Sequence, residues 1–264
     1  MDLGLKDKVV MVAASSKGLG YGIALEAARE GAILSLGSRN QKYLKSASER
    51  IEAEAPGARI HTSRLDVAEA SSIEEWVNYT LKELGSIDCL VVNGGGPPAG
   101  TFDETDDRNW EIGFENTLMS AVRMIRGVLP EMRRKKSGSI LTVTSSSIKE
   151  PIDNLILSNV FRSGVTSLVK SLSFQVASDN IRINNLVPGF FDTDRLKELD
   201  LRNSREWRIS LENVRKINFD KIPMGRYGDA KEFGKAAVFL LSEAASYVTG
   251  ETFIIDGGKM RTVW

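Results

Sequence analysis

Residues 14–20, Ala14-Ser15-Ser16-Lys17-Gly18-Leu19-Gly20, hold the chain's clearest chemistry. They break the apolar run Val9-Val10-Met11-Val12-Ala13 and lead into Ile23-Ala24-Leu25 and Ala27-Ala28, which resume at helical spacing. A buried strand, a glycine-rich turn and a helix start are what a dinucleotide pyrophosphate needs. Glycine lets backbone approach the phosphates, and free N–H groups at a helix N-terminus favour negative charge. The spacing is not Gly-x-Gly-x-x-Gly, because Ile23 stands where the third glycine would be. A second constellation closes the next strand, in Leu34-Ser35-Leu36-Gly37-Ser38-Arg39-Asn40. A carboxylate at that strand end would bind the ribose 2′-OH of NAD; here Ser38 takes the place and Arg39 follows. A 2′-phosphate is repelled by a carboxylate and clamped by a guanidinium, and Lys17 can add a second cation. Against the bland reading of two solvated surface charges, these residues favour NADP(H).

Other chemistries lack their residues. His61 is the single histidine and Cys89 the single cysteine, so a Ser-His-Asp triad, an internal disulfide and a His- or Cys-rich metal site are all disfavoured. Cys89 lies in the apolar run Ile87–Val92, where a buried inert thiol is the default. No metal site is expected. Thirty-five basic residues balance 35 acidic ones, so no global field recruits nucleic acid or an anionic membrane. The run Arg133-Arg134-Lys135-Lys136 reads as the end of a long helix, where cations suit the helix dipole. No apolar run approaches a membrane span, and Met1–Lys8 does not read as a signal peptide. A cytoplasmic protein is expected.

Apolar strands alternate with amphipathic helices along the whole chain. The pattern predicts strands near 8–13, 32–37, 59–64, 87–92, 138–144, 181–187 and 251–255. It predicts helices near 18–30, 41–55, 70–84, 108–136, 155–178, 194–216 (in two pieces) and 229–242. Such alternation implies a doubly wound α/β fold of the Rossmann type, a mostly parallel seven-stranded sheet with helices on both faces. No linker or repeat divides it, so residues 1–264 read as one domain. Trp110, Phe114, Leu118, Val122, Ile125 and Leu129 stripe one helix; Phe161, Val165, Leu168, Leu172 and Val176 stripe another. Both stripes read as core or subunit interface.

The turn resembles the Thr-Gly-x-x-x-Gly-x-Gly of the short-chain dehydrogenase/reductase family, with Ala13 and Ala14 in place of Thr and Gly. Further marks follow in order: Leu65-Asp66-Val67 after the third strand, Val92-Asn93-Gly94-Gly95 after the fourth, Asn116 in a helix, Pro188-Gly189-Phe190-Phe191-Asp192-Thr193, and Asp256-Gly257-Gly258. The resemblance covers nearly the whole chain. It implies an NADP(H)-dependent oxidoreductase near the β-ketoacyl-acyl-carrier-protein reductase branch, acting on a small-molecule or acyl substrate as a homotetramer or homodimer. The cofactor would be held by Ser15, Ser16, Lys17, Gly18, Leu19, Gly20, Ser38, Arg39, Asp66, Val67, Asn93, Gly94, Gly95, Arg162, Pro188, Gly189 and Thr193. The charge-rich stretch 194–222 corresponds to the family's substrate lid, and Phe190, Phe191, Leu196, Leu199, Trp207 and Ile209 either line a pocket or pack that lid.

The family's catalytic centre is a Ser followed by Tyr-x-x-x-Lys, and here the match breaks. Ser145 stands at the Ser position, but Ser158 and Arg162 replace Tyr and Lys. The i, i+4 spacing keeps both on one helix face. A phenol titrates near about 10 and a cation can tune it, whereas a Ser hydroxyl is a far weaker acid. Arg162 can hold ribose hydroxyls and stabilise an oxyanion but cannot act as general acid. The expected catalytic set is therefore Ser145, Arg162, Asn116 and Ser158, with the proton route open; Lys149 and Glu150 follow Ser145 on the same loop. One alternative is an NADPH-binding sensor or subunit partner with little or no dehydrogenase activity; a second is an enzymatic reaction whose proton comes from water or the substrate.

Overall fold

Val9–Ala13 (β1) is the buried centre of a seven-stranded sheet in the computed structural model, which describes residues 2–263. Ile33–Ser38 (β2) and Arg59–Arg64 (β3) extend the sheet on one side. Cys89–Val92 (β4), Gly138–Val143 (β5), Ile181–Pro188 (β6) and Thr252–Ile255 (β7) extend it on the other. Every pairing is parallel, so the Rossmann-type expectation holds without an antiparallel edge. The chain leaves β1 toward β2 and returns on its other side as β4. Their C-terminal ends therefore border the crevice at which such sheets bind ligands.

Strand alternation divides the core in two. Val10 and Val12 face a layer formed by Gly18–Arg29 (α1), Gln41–Glu54 (α2) and Ala230–Leu241 (α9). Met11 and Ala13 face Ala70–Leu84 (α3), Ser120–Lys135 (α5) and Ile156–Val176 (α6). The buried halves of the two stripes, Ile125 and Leu129 on α5 and Val165 and Val176 on α6, belong to this second layer. Against the first layer, α1 and α9 cross closely because Gly22 and Gly234 leave no side chain between them; a Cβ on either would collide with backbone.

The long helix expected near 108–136 is three segments. Asp107–Gly113 (α4) passes into a π-helical turn, Phe114–Met119, before α5 resumes. The wider turn holds Asn116 and Thr117, and Ser120 Oγ donates to both of their carbonyls, at 2.8 and 3.2 Å. The charged insert forms Asp194–Trp207 (α7) and Leu211–Asp220 (α8). They are joined by polar groups buried between them: Tyr227 Oη donates to Asp200 (3.0 Å to Oδ2) and Asn218 Nδ2 donates to Asp200 Oδ1 at 3.0 Å. Phe191 packs edge-on against Phe233 in the main core, while Trp207 is exposed.

The cationic run is occupied structurally, with Arg133 and Lys136 paired to Asp179, Arg134 to Glu131 and Lys135 to Asp88. Cys89 is buried, and desolvation with the nearby Asp88 charge pushes its thiol up to about 12. No helix among the described residues is long and apolar enough to cross a membrane.

Candidate active site

Two backbone conformations shape the turn after β1. Ala14 (φ 50°) and Gly18 (φ 60°) both adopt the left-handed region. At residue 14 the fold thus keeps the glycine-type geometry although the sequence has alanine. Ser15 N donates to Gly37 O at 3.2 Å, tying the turn to β2. Lys17 is the N-cap of α1, yet its side chain caps nothing, so the N–H groups of the first turn have no side-chain partner. A Cβ at Gly20 would strike Ala14 O and lie 2.8 Å from Asn93 Nδ2. That amide in turn donates to Ala13 O at 3.3 Å, so Asn93 braces the ends of β1 and β4. An open helix N-terminus beneath a turn that only glycine can complete fits a dinucleotide pyrophosphate.

At the end of β2, Ser38 Oγ donates to Ser16 Oγ at 2.9 Å, a neutral contact where an NAD-type site would place a carboxylate. Arg39 beside it is exposed and forms no ion pair among the described residues. Lys17, expected as the second cation, lies 3.9 Å from Asp194 at the start of α7. Thr193 caps that helix by accepting from Leu196 N at 3.4 Å, and its Cγ2 is 3.7 Å from where a Cβ on Gly18 would sit. The insert therefore begins directly over the glycine-rich turn. Asp66 Oδ1 accepts from Ala68 N at 3.2 Å, and Val67 borders Gly94. Gly94 also faces the carbonyl of Asn116, and nothing lies within 4 Å of a Cβ on Gly95, which keeps the floor of the crevice open. Pro188 ends β6, and Gly189 N donates to Ile255 O at 2.7 Å against Asp256, where a Cβ would collide.

Arg162 is the hub of the other half of the site. Its Nε donates to Ser158 Oγ at 3.1 Å, and its Nη1 donates to the carbonyls of Val143 and Thr144, each at 3.1 Å. Nη2 makes no hydrogen bond among the described residues and lies 3.8 Å from where a Cβ on Gly96 would sit. Desolvation, with the like charge of Arg195, lowers the guanidinium to about 10, so it remains a cation at neutral pH. Ser145 follows β5 and its Oγ accepts from Ser147 N at 3.1 Å, leaving its own proton free to donate. Arg162, Asn116, Thr117 and Thr144 line one small cavity against Asn93 and Gly94. Thr117 Oγ1 is buried there without a partner.

The crevice thus gathers the glycine-rich turn, Asn93–Gly95, Asn116 and Arg162, while Ser158 supports Arg162. Glu150 lies in an outer groove with Lys259 and Arg261, and its Oε1 is 3.4 Å from Arg261 N. Sequence reasoning missed Thr117 and Arg195. A threonine in an amphipathic helix and an arginine in a charged insert carry no signal of their own.

A family model described as Enoyl-(Acyl carrier protein) reductase matches residues 13–259. The dehydrogenase/reductase SDR family member 4 of Oryctolagus cuniculus is 32% identical over 255 residues, 96% of this chain and 94% of that protein. The L-sorbose reductase of Gluconobacter frateurii, solved with NADPH and L-sorbose, superimposes with a TM-score of 0.94 at 30% identity over all of both chains. An NADPH-bound short chain oxidoreductase from Pseudomonas aeruginosa PAO1, described as containing an atypical catalytic center, gives a TM-score of 0.88 at 26% identity, covering 98% of this chain and 100% of that one. Taken with the glycine-rich turn over an all-parallel sheet, a match this continuous means that the chain belongs to the short-chain dehydrogenase/reductase family.

Proposed function

We propose that this protein is an NADP(H)-dependent oxidoreductase acting on a carbonyl or alcohol substrate, in the manner of the 3-oxoacyl-acyl-carrier-protein reductase branch. When bound, the nicotinamide supplies or takes up a hydride. The first turn of α1 and residues 15–20 hold the pyrophosphate, Arg39 and Ser38 the 2′-phosphate, and Asp66 and Val67 the adenine. Asn93, Gly94 and Gly95 floor the crevice; Pro188, Gly189 and Thr193 border the nicotinamide. Ser145 donates a hydrogen bond to the substrate oxygen, Arg162 supplies positive charge, and Asn116 acts through water in the shared cavity. The observation that carries the cofactor reading is the neutral Ser38–Ser16 contact beside Arg39, which forms no ion pair among the described residues.

Calorimetric titration with NADPH and NADH tests it. A charge-assisted contact to the 2′-phosphate contributes about 1.5–3 kcal/mol, roughly ten- to a hundredfold in affinity. NADPH binds more tightly by that factor, and Arg39→Ala removes the difference; equal affinities for the two cofactors would overturn the reading. The wild-type Ser158–Arg162 pair is the one feature that favours a cofactor-binding protein without turnover. That reading requires no substrate to be reduced under any condition. The exposed apolar side chains of Ile112 on α4, Phe114 in the π-turn and Val160 on α6 support a homodimer or homotetramer, which light scattering measures directly. A cytoplasmic location is part of the same proposal.

A further inference from the structure

We infer that the small cavity between the end of β4, the π-helical turn and α6 binds one monovalent anion of chloride size, which serves as the counter-charge of Arg162. The site is filled in the protein without substrate. Under the reductase reading, a substrate oxyanion at Arg162 takes over the negative charge, and water then replaces the halide beside Asn116. Binding needs no cofactor, so its failure would leave the NADP(H) reading standing.

The first support is the cavity itself. Asn93, Gly94, Asn116, Thr117, Thr144 and Arg162 lie on its walls, and no aspartate or glutamate does. Its volume is about 20 Å³, enough for one small sphere. The donors on these walls outnumber their partners. Thr117 reaches the cavity from the π-helical turn; it is 9% exposed, and its Oγ1 has no hydrogen-bond partner. Arg162 uses Nε and Nη1 in hydrogen bonds and leaves Nη2 without one among the described residues. The N–H groups of Gly94 and Gly95 donate to no backbone acceptor there. The main-chain acceptors nearby are already engaged. The carbonyls of Val143 and Thr144 accept from Arg162 Nη1, and those of Asn116 and Thr117 accept from Ser120 Oγ. Thr144 Oγ1 donates to Asn185 Oδ1 at 2.9 Å.

The second support is the charge at Arg162, which decides between water and an anion. Its partners are one hydroxyl and two backbone carbonyls, all neutral. The charged group that acts on it is Arg195, a second cation. A part-buried charge without an opposite charge is costly, and contact with a counter-ion offsets that cost. Water would satisfy the Thr117 hydroxyl and leave the guanidinium uncompensated. A halide accepts from both Thr117 Oγ1 and Arg162 Nη2 and neutralises the cation, through bonds roughly twice as strong as neutral ones.

Bromide is the probe, because it scatters anomalously and is close to chloride in size. Crystals of the full chain grown without halide and soaked in bromide show an anomalous peak in contact with Thr117 Oγ1 and Arg162 Nη2. In solution, bromide is titrated against gluconate at constant ionic strength, gluconate being too large for the cavity. Bromide raises the melting temperature of wild type over that in gluconate, and the concentration dependence of the rise gives the affinity.

Thr117→Val keeps the shape of the side chain and removes its donor. Loss of a hydrogen bond to a charged group weakens bromide binding about tenfold or more. A hydroxyl with a purely structural role would not move the difference between bromide and gluconate. Thr117→Ser keeps the donor and retains the response, which also serves if the Val variant does not fold. Arg162→Gln keeps N–H donors without the charge and loses the response. A water in the cavity with bromide confined to exposed cations would overturn the inference. So would equal melting temperatures in bromide and gluconate, or an undiminished bromide response in Thr117→Val.

Discussion

Arg162 Nε and Ser158 Oγ sit 3.1 Å apart on one face of α6, in the two positions that the family resemblance assigns to the lysine and tyrosine of the active centre. The pair is a structural clamp as well as a change of chemistry. Its other edge grips Val143 and Thr144 where β5 ends, one residue before Ser145. The guanidinium therefore fixes the strand end that presents the site's hydroxyl.

The two members of that clamp separate by mutation. Ser158→Ala removes one acceptor and leaves the part-buried Nε without a partner, which costs about 1–3 kcal/mol of stability while turnover stays nearly unchanged. Arg162→Ala frees two strand-end carbonyls and removes the cation, so NADPH affinity and turnover fall together. Thermal melts and cofactor titrations of both variants check this. A large loss of turnover in Ser158→Ala with normal stability would make Ser158 a participant.

Ala14 at φ 50° occupies a conformation that costs an L-residue roughly 1–2 kcal/mol. Ala14→Gly relieves it, partly offset by the greater freedom of glycine in the unfolded chain. A net gain of about 1 kcal/mol is expected, raising Tm by about 2–4 °C in a chain of this size. A lower Tm would show that the turn is not strained at this residue.

Tyr227, Asn218 and Asp200 pin the insert from three separate segments. Asn218 Nδ2 also donates to Tyr227 Oη at 2.9 Å, and Phe190 and Phe219 pack edge-on against the Tyr227 ring. Burial pushes the phenol up to about 12, with the Asp200 charge adding to the shift. Tyr227→Phe leaves a buried carboxylate short of one donor, at a cost of about 1–3 kcal/mol. Hydrogen exchange should quicken in α7 and α8 while sheet amides keep their protection. Unchanged exchange in those helices would show that the network does not hold the insert.

The start of α9 has a pH signature. Glu232 pairs with Arg226 and closes a capping box with Asp229, and these bonds hold its carboxyl down to about 2. A carboxyl depressed in the folded state stabilises it when ionised. Its contribution is complete above the ordinary value of 4.5 and is lost as pH falls toward 2. The side chain is half-exposed, so the contribution is limited to about 1 kcal/mol. Wild type and Glu232→Gln should differ by that amount in urea unfolding at pH 6 and converge near pH 2. A difference that does not depend on pH would contradict the assignment.

The seven strands were legible because parallel strands buried on both faces leave short apolar runs, as in Val9–Ala13 and Cys89–Val92. The glycine-rich turn and the spacing of Ser158 and Arg162 were legible because both are local. What stayed hidden depends on tertiary contact. The π-helical turn at Asn116 inserts one residue per turn without any compositional mark. Asp200 and Tyr227 lie 27 residues apart and meet only when the insert folds, and polar residues in a charged segment read as solvated. The approach of Lys17 to Asp194 at 3.9 Å likewise joins residues far apart in the chain and leaves no mark in the sequence.

The most direct test of the central claim is to restore the missing acid. Ser158→Tyr with Arg162→Lys rebuilds Tyr-x-x-x-Lys on a helix face that already has its spacing, beside Ser145 and Asn116. NADPH-dependent reduction of an isolated ketone such as cyclohexanone is measured for wild type and for the double variant. If only the acid is absent, the double variant gains about 10²–10⁴-fold on that ketone. A double variant that folds, binds NADPH and shows no gain would contradict the account.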